Sequence, residues 1–120
     1  MINIEEFKKV DIVVGKILNV EKIPDTDKLL KLSVDLGPSV AKALEGKEEN
    51  DIRQIVSGIA LYFPDISTLI GVKCMFVANL EPKMIRGFES QGMILAVSTE
   101  DGKFSLLSPN NDIPVGTRAK

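Results

Sequence analysis

The sequence has no histidine, a single cysteine (Cys74) and only 5% aromatic residues among its 120. Without histidine the chain loses the commonest general base and metal-ligating side chain. Serine–histidine and cysteine–histidine nucleophile pairs are impossible within it. One thiol cannot build a cysteine–histidine zinc cage or an internal disulfide. Neither a catalytic centre nor a metal or organic cofactor is expected. No apolar run approaches the roughly 20 residues of a membrane span. Met1–Val10 carries Glu5, Glu6, Lys8 and Lys9 where a secretory signal would have an apolar stretch. With the lone thiol, this predicts a cytoplasmic setting and no membrane partner.

A strong charge of either sign is also missing. Fifteen Lys and Arg against seventeen Asp and Glu give a net charge of −2. Proteins that coat nucleic acid through their overall field are usually basic, so any such contact here has to come from a local patch. What remains is ordinary for a globular chain, 44% hydrophobic and 27% charged. The length predicts one domain, 1–120, with a core large enough to fold unaided.

Short β-branched runs separated by turn signals dominate. Val10–Lys22 reads as a long first strand interrupted at Gly15, where a bulge or bend would let it serve two sheets. Leu29–Leu36 alternates cleanly, with Leu30, Leu32, Val34 and Leu36 on one face. The two runs form a hairpin across the turn at Ile23–Asp27. Gly37–Asp51 is polar, bounded by breakers and acidic towards its end; it reads as a mobile loop with room for a helical turn or two at Val40–Leu44. Ile52–Ser57, Lys73–Leu80 and Met93–Ser98 supply strands three to five. Ile59–Phe63 forms a short helix or turn after the third. Phe104–Leu107 returns as a short strand after the turn at Glu100–Gly102, and the tail is irregular. Five strands, a long bent first one, and a short helix between strands 3 and 4 predict an all-β, five-stranded Greek-key barrel, the OB-fold, with an irregular C-terminal extension. The barrel core spans about 7–107 and a closing segment 108–120.

The most informative segment for binding is Asn79–Met93. Lys83 and Arg86 suit phosphates. Asn79, Ser90 and Gln91 carry donors and acceptors that can read base edges. Met93 offers a polarizable surface to an unstacked base. A solvated surface loop would have much the same composition. Lys28 and Lys31 sit at the mouth of the first hairpin, the end of an OB-fold where oligonucleotides lie. Tyr62, Phe63 and Phe88 could stack bases, but Tyr62 and Phe63 read better as core residues beside the short helix, and Cys74 as a packed, inert thiol.

Several of these runs occur in a recognisable order: Phe7–Ile17, Asp27–Leu30, Arg53–Ala60, Val77–Leu80 and Arg86–Met93. Together they resemble the tRNA-binding domain of the methionyl-tRNA synthetase C-terminal module, also found as free-standing tRNA-binding proteins and in an animal synthetase-associated cytokine precursor. The likeness runs from Phe7 to Lys120. It implies an OB-fold that binds tRNA by shape, as a homodimer or as an auxiliary subunit of a methionyl-tRNA synthetase. Lys28, Asn79, Lys83, Arg86, Ser90 and Met93 would face the tRNA. Ile113–Thr117 resembles the family's closing segment, which implies a part in a dimer interface. Two departures weaken the basic surface: Glu81 and Met84 stand where lysine or arginine is common, and the 37–51 loop is longer and more acidic. A chaperone-like, peptide-binding dimer on the same fold is the alternative function.

Overall fold

The computed structural model describes all 120 residues. It begins with a single helical turn, α1 (Ile4–Phe7), followed by β1 (Ile12–Lys22), β2 (Leu30–Pro38), a short α2 (Val40–Leu44) and β3 (Asn50–Ser57). Two 3-10 turns, Ala60–Tyr62 and Ile66–Leu69, lead to β4 (Lys73–Val77). Five short strands follow: β5 (Lys83–Ile85), β6 (Phe88–Ser90), β7 (Met93–Ile94), β8 (Ala96–Ser98) and β9 (Phe104–Leu106). The main sheet is antiparallel with order β3-β2-β1-β4-β7, and two small hairpins, β5-β6 and β8-β9, stand beside it. The fold is therefore the expected all-β, OB-like half-barrel. No helix is long and apolar enough to cross a membrane.

The long first strand does what its length suggested. Its first half pairs with β4, from Ile12 opposite Val77 to Lys16 opposite Lys73. Its second half pairs with β2, ending at Lys22 opposite Leu30. The irregularity, however, is not at Gly15. The register shifts between Ile17 and Asn19, so Ile17 and Val20 both point inward while Leu18 is turned out. One extra residue inverts the parity of a strand, and that accounts for the imperfect alternation. Gly15 plays a different part, because a Cβ there would lie 2.6 Å from the Phe76 ring. The glycine lets β1 lie directly against that side chain.

Leu30, Leu32, Val34 and Leu36 are buried on one face of β2. With Ile17, Ile55, Ile59, Phe76 and Ile94 they form the core, each side chain contributing about 1.5–3 kcal/mol by leaving water. Leu69, on the second 3-10 turn, plugs the barrel. Its connection is zipped to β1 by bonds from the Gly71 amide to the Ile17 carbonyl, 2.7 Å, and from the Ile17 amide to the Val72 carbonyl, 3.0 Å.

The 37–51 segment holds the helical turn expected at Val40–Leu44: the Ser39 hydroxyl caps α2 by accepting from the Lys42 amide at 3.2 Å, and the Ser39 amide donates to the Glu49 carbonyl at 2.9 Å, closing the loop. Two expectations change. The polar stretch after β4 contains a hairpin, β5-β6, whose two-residue turn Arg86-Gly87 has φ of 52° and 86°. The fifth strand is divided. Its start, β7, pairs with β4, and after Leu95 the chain leaves the main sheet to pair as β8 with β9.

The C-terminal extension covers the remaining edge of β1. The Gly116 amide donates to the Val14 carbonyl at 2.7 Å, the Val14 amide to the Thr117 carbonyl at 2.9 Å, and the Ala119 amide to the Ile12 carbonyl at 2.7 Å. Arg118 reinforces it with a 2.7 Å ion pair to Asp11.

Candidate nucleic-acid interface

β3 and β7 are the two edges of the main sheet, and the barrel has to close between them. Closure is made by β3 and the Glu89–Gly92 segment rather than by a regular ladder. The Gln91 amide donates to the Gln54 carbonyl at 2.8 Å. The Gln54 amide donates to Gln91 Oε1 at 3.1 Å, and Gln54 Nε2 donates to the Glu89 carbonyl at 3.0 Å. One step further, the Val56 amide donates to the Ser90 hydroxyl at 3.0 Å. Arg53 ends the seam. Its guanidinium is paired with Asp51 at 2.9 Å and donates to the carbonyls of Ala78 and Gln91. Arg53–Val56 and Glu89–Gly92, parts of the motif runs Arg53–Ala60 and Arg86–Met93, are thus the two lips of one seam.

This geometry decides what several candidate residues have free. Ser90 is buried, and its hydroxyl is committed to Val56 and the Gly92 carbonyl. Asn79 Oδ1 accepts from the Asp11 amide at 2.8 Å and Asn79 Nδ2 donates to the Lys9 carbonyl at 2.6 Å, so this side chain fastens the segment before β1. Ser90 therefore has no open group for a base edge in this structure, whereas the exposed Asn79 keeps one Nδ2 hydrogen and one Oδ1 lone pair. Their partners are backbone atoms 34 and about 70 positions away, which no local pattern reveals. Gln91 is in between: its oxygen is committed to the seam, but it also lines a surface concavity of about 320 Å³ with Asn19, Glu21, Lys31, Ser33 and Gln54.

The cations divide differently. Lys28, Lys83 and Arg86 are exposed, and none has a carboxylate within 4.0 Å, whereas Lys31, Arg53, Lys73 and Arg118 are all ion-paired. Lys31 lies 3.2 Å from Glu21 and 4.7 Å above the Phe88 ring. It joins β2 to β6 by a cation–π contact and so helps dock the β5-β6 hairpin beside the β1-β2 hairpin. Because Ser90 lies against Val56, β6 carries the Arg86-Gly87 turn towards the Ser57 end of β3, where Ser57 pairs with Leu30. That is also the end at which Lys28 projects. Lys83 lies further back along the seam, opposite Ser90, and Met84 and Met93 are exposed on the same segment. Arg86 occupies the left-handed region, where a non-glycine, non-asparagine residue is disfavoured. Lys22, exposed and unpaired at the same hairpin mouth, was not among the predicted contacts; its side-chain type and its place beside the Ile23–Asp27 turn are the signals that would have found it.

Unpaired cations, exposed methionines and open polar groups along a β-barrel seam are the features of a binding module. Comparison with known proteins names the kind. Residues 12–118 match the family model described as "Putative tRNA binding domain", and the chain belongs to that family. It is 41% identical over 119 residues to the methionine–tRNA ligase of Chloroherpeton thalassium, covering 99% of this chain and 15% of the relative. The chain therefore spans about one-seventh of the length of the curated relatives it resembles. Among solved structures it superposes on a MetRS-related protein from Pyrococcus horikoshii with a TM-score of 0.82 and 40% identity, covering 100% of this chain and 98% of that one. It also superposes on the chaperone CsaA of Bacillus anthracis with a TM-score of 0.78 and 27% identity, covering 100% and 99% of the two chains.

Proposed function

We propose that the chain binds tRNA by shape, with little sequence preference, along the face that carries Lys28, Lys83 and Arg86. The observation that carries this reading is the presence of four exposed cations without carboxylate partners, Lys22 with these three, on the two hairpins that Lys31 and Phe88 hold together, in a chain of the tRNA-binding family. Such cations hold phosphates and orient the ligand, and each releases counterions on binding. Met93 and the free amide of Gln91 lie further along the same face and supply secondary contacts. The module works as a homodimer, with 113–117 at the interface, or as an auxiliary subunit of a cytoplasmic methionyl-tRNA synthetase. As a subunit it raises the local tRNA concentration, because tethering makes the second binding event intramolecular.

The test is retention of unfractionated tRNA on filters across a salt series, with Lys83→Ala and Arg86→Ala alongside. Each substitution should weaken all tRNAs alike and reduce the salt slope by about 0.7–0.9. Folded protein that retains no tRNA even at low salt would sink the proposal. The likeness to the chaperone CsaA supports a second reading, peptide binding. Suppression of client aggregation by a sample that retains no tRNA would favour it.

A further inference from the structure

Tyr62 is the sole tyrosine in the sequence, and the structure does not bury it as a core residue. It remains 45% exposed at the end of the first 3-10 turn. Its ring lies flat on Phe104, with centroids 4.0 Å apart and an angle of 8° between the planes. Phe63 meets Phe104 edge-on at 5.7 Å and 88°, and both phenylalanines pack against the core. Tyr62 is therefore an aromatic ring seated on an anchored stack, while nearly half of the residue still meets solvent. Its orientation is set in advance, so a second planar group stacking on it would cost little side-chain entropy.

Its surroundings suggest which planar group. The Ala60 amide donates to the Lys28 carbonyl at 2.9 Å, and Tyr62 lies two residues further along the same turn, its Cα no more than about 7.6 Å from that of Ala60. Lys28 is exposed and has no ion-pair partner. A cation that can take a phosphate is thus carried by the chain segment bonded to the turn that presents a ring able to take a base. Asp25 and Asp27 flank Lys28 in the chain and temper its charge, so an uncharged contact nearby adds to what the cation supplies. An aromatic face attracts any base regardless of net charge.

We propose that Tyr62 is a stacking platform for one unpaired nucleobase of the bound tRNA, with Lys28 holding an adjoining phosphate. This extends the RNA face past the hairpins, onto the 3-10 turn, and it rests on the tRNA-binding reading above. The contact accepts any base, because every base has a π face.

With one tyrosine in the chain, protein grown with 3-fluorotyrosine has one fluorine resonance, and that resonance reports on Tyr62 in the unmutated fold. Titration with unfractionated tRNA should shift it. Tyr62→Leu keeps an apolar cap on Phe104 but has no π face. It should weaken tRNA retention about 5- to 100-fold with an unchanged salt slope, while Tyr62→Phe binds like the parent. A resonance that stays put while tRNA is retained overturns the stacking and leaves the tRNA reading standing. Parental affinity in Tyr62→Leu overturns it as well, whatever the resonance does. Loss of tRNA retention by the parent protein at low salt overturns both.

Discussion

The amide of Val56 and the hydroxyl of Ser90 meet at 3.0 Å across the barrel seam, 34 residues apart in the chain. Both residues are buried. Replacing Ser90 with alanine removes the acceptor and leaves a buried backbone donor without a partner, which costs about 1–3 kcal/mol. The urea midpoint of Ser90→Ala should fall accordingly. Its tRNA affinity, measured where the variant is fully folded, should stay within about twofold of the parent. A variant as stable as the parent but deficient in tRNA binding would mean that the hydroxyl serves the ligand and not the seam.

Arg86 separates function from stability in the opposite direction. At φ 52° it occupies the first position of a two-residue hairpin turn with Gly87 at 86°, a position that asparagine fills with less strain. Arg86→Asn should leave stability unchanged or raise it by up to about 1 kcal/mol, while weakening tRNA binding and flattening its salt dependence. A stability loss of similar size would show that the guanidinium supports the hairpin instead of the RNA.

The same residues show how far the chain could be read without coordinates. The alternation from Leu30 to Leu36 was legible because each side chain faces either the core or the outside, with no exceptions. β1 was legible as a strand but not in its register, since the bulge at Leu18 carries no glycine or proline to announce it. The β5-β6 hairpin escaped notice because its strands are three residues long and its turn is Arg-Gly, not Asn-Gly. Lysines and arginines at hairpin tips could be assigned to the surface from side-chain type alone. Asn79 and Ser90 could not be assigned, because whether a short polar side chain faces solvent or a distant backbone amide depends on tertiary closure. Tyr62 reads as core from its place beside the short helix, with base stacking as its other reading, and the 3-10 turn leaves it half in solvent.

Gly37 tests the closing segment. Its φ is +91°, and a Cβ there would lie 2.8 Å from both the Val115 carbonyl and the Gly116 Cα. Gly37→Ala combines left-handed strain with a backbone clash, and the cheapest relief is to lift 114–119 off β1. Amide exchange at Gly116 and Ala119, which donate to Val14 and Ile12, should speed up selectively, while the Leu32 and Val34 amides stay protected. Light scattering on the same variant tests the proposed part of this segment in dimerisation: if the segment lies at a dimer interface, the variant should dissociate at concentrations where the parent does not. An unchanged mass with faster exchange would remove the segment from the interface.

Cys74 gives the fold a pH dependence at the alkaline end. It is fully buried in β4, and loss of solvation pushes its thiol from 9.0 up to about 12. Between those values the unfolded chain gives up the thiol proton while the folded one keeps it. The unfolded state then binds fewer protons, so stability falls as pH rises, by up to about 1.4 kcal/mol per pH unit. Below pH 9 both states hold the proton and the contribution is flat. Cys74→Ala is less stable than the parent at neutral pH, because it leaves a small cavity, but it lacks this slope. The stability gap between parent and variant should therefore narrow by about 1 kcal/mol from pH 9 to pH 10, with all other titrations cancelling in the difference. Urea midpoints of the two proteins at pH 7, 9 and 10 measure it. A gap that stays constant across that series would mean the thiolate is accommodated in the folded barrel, and the same thiol would then react with alkylating reagents without unfolding.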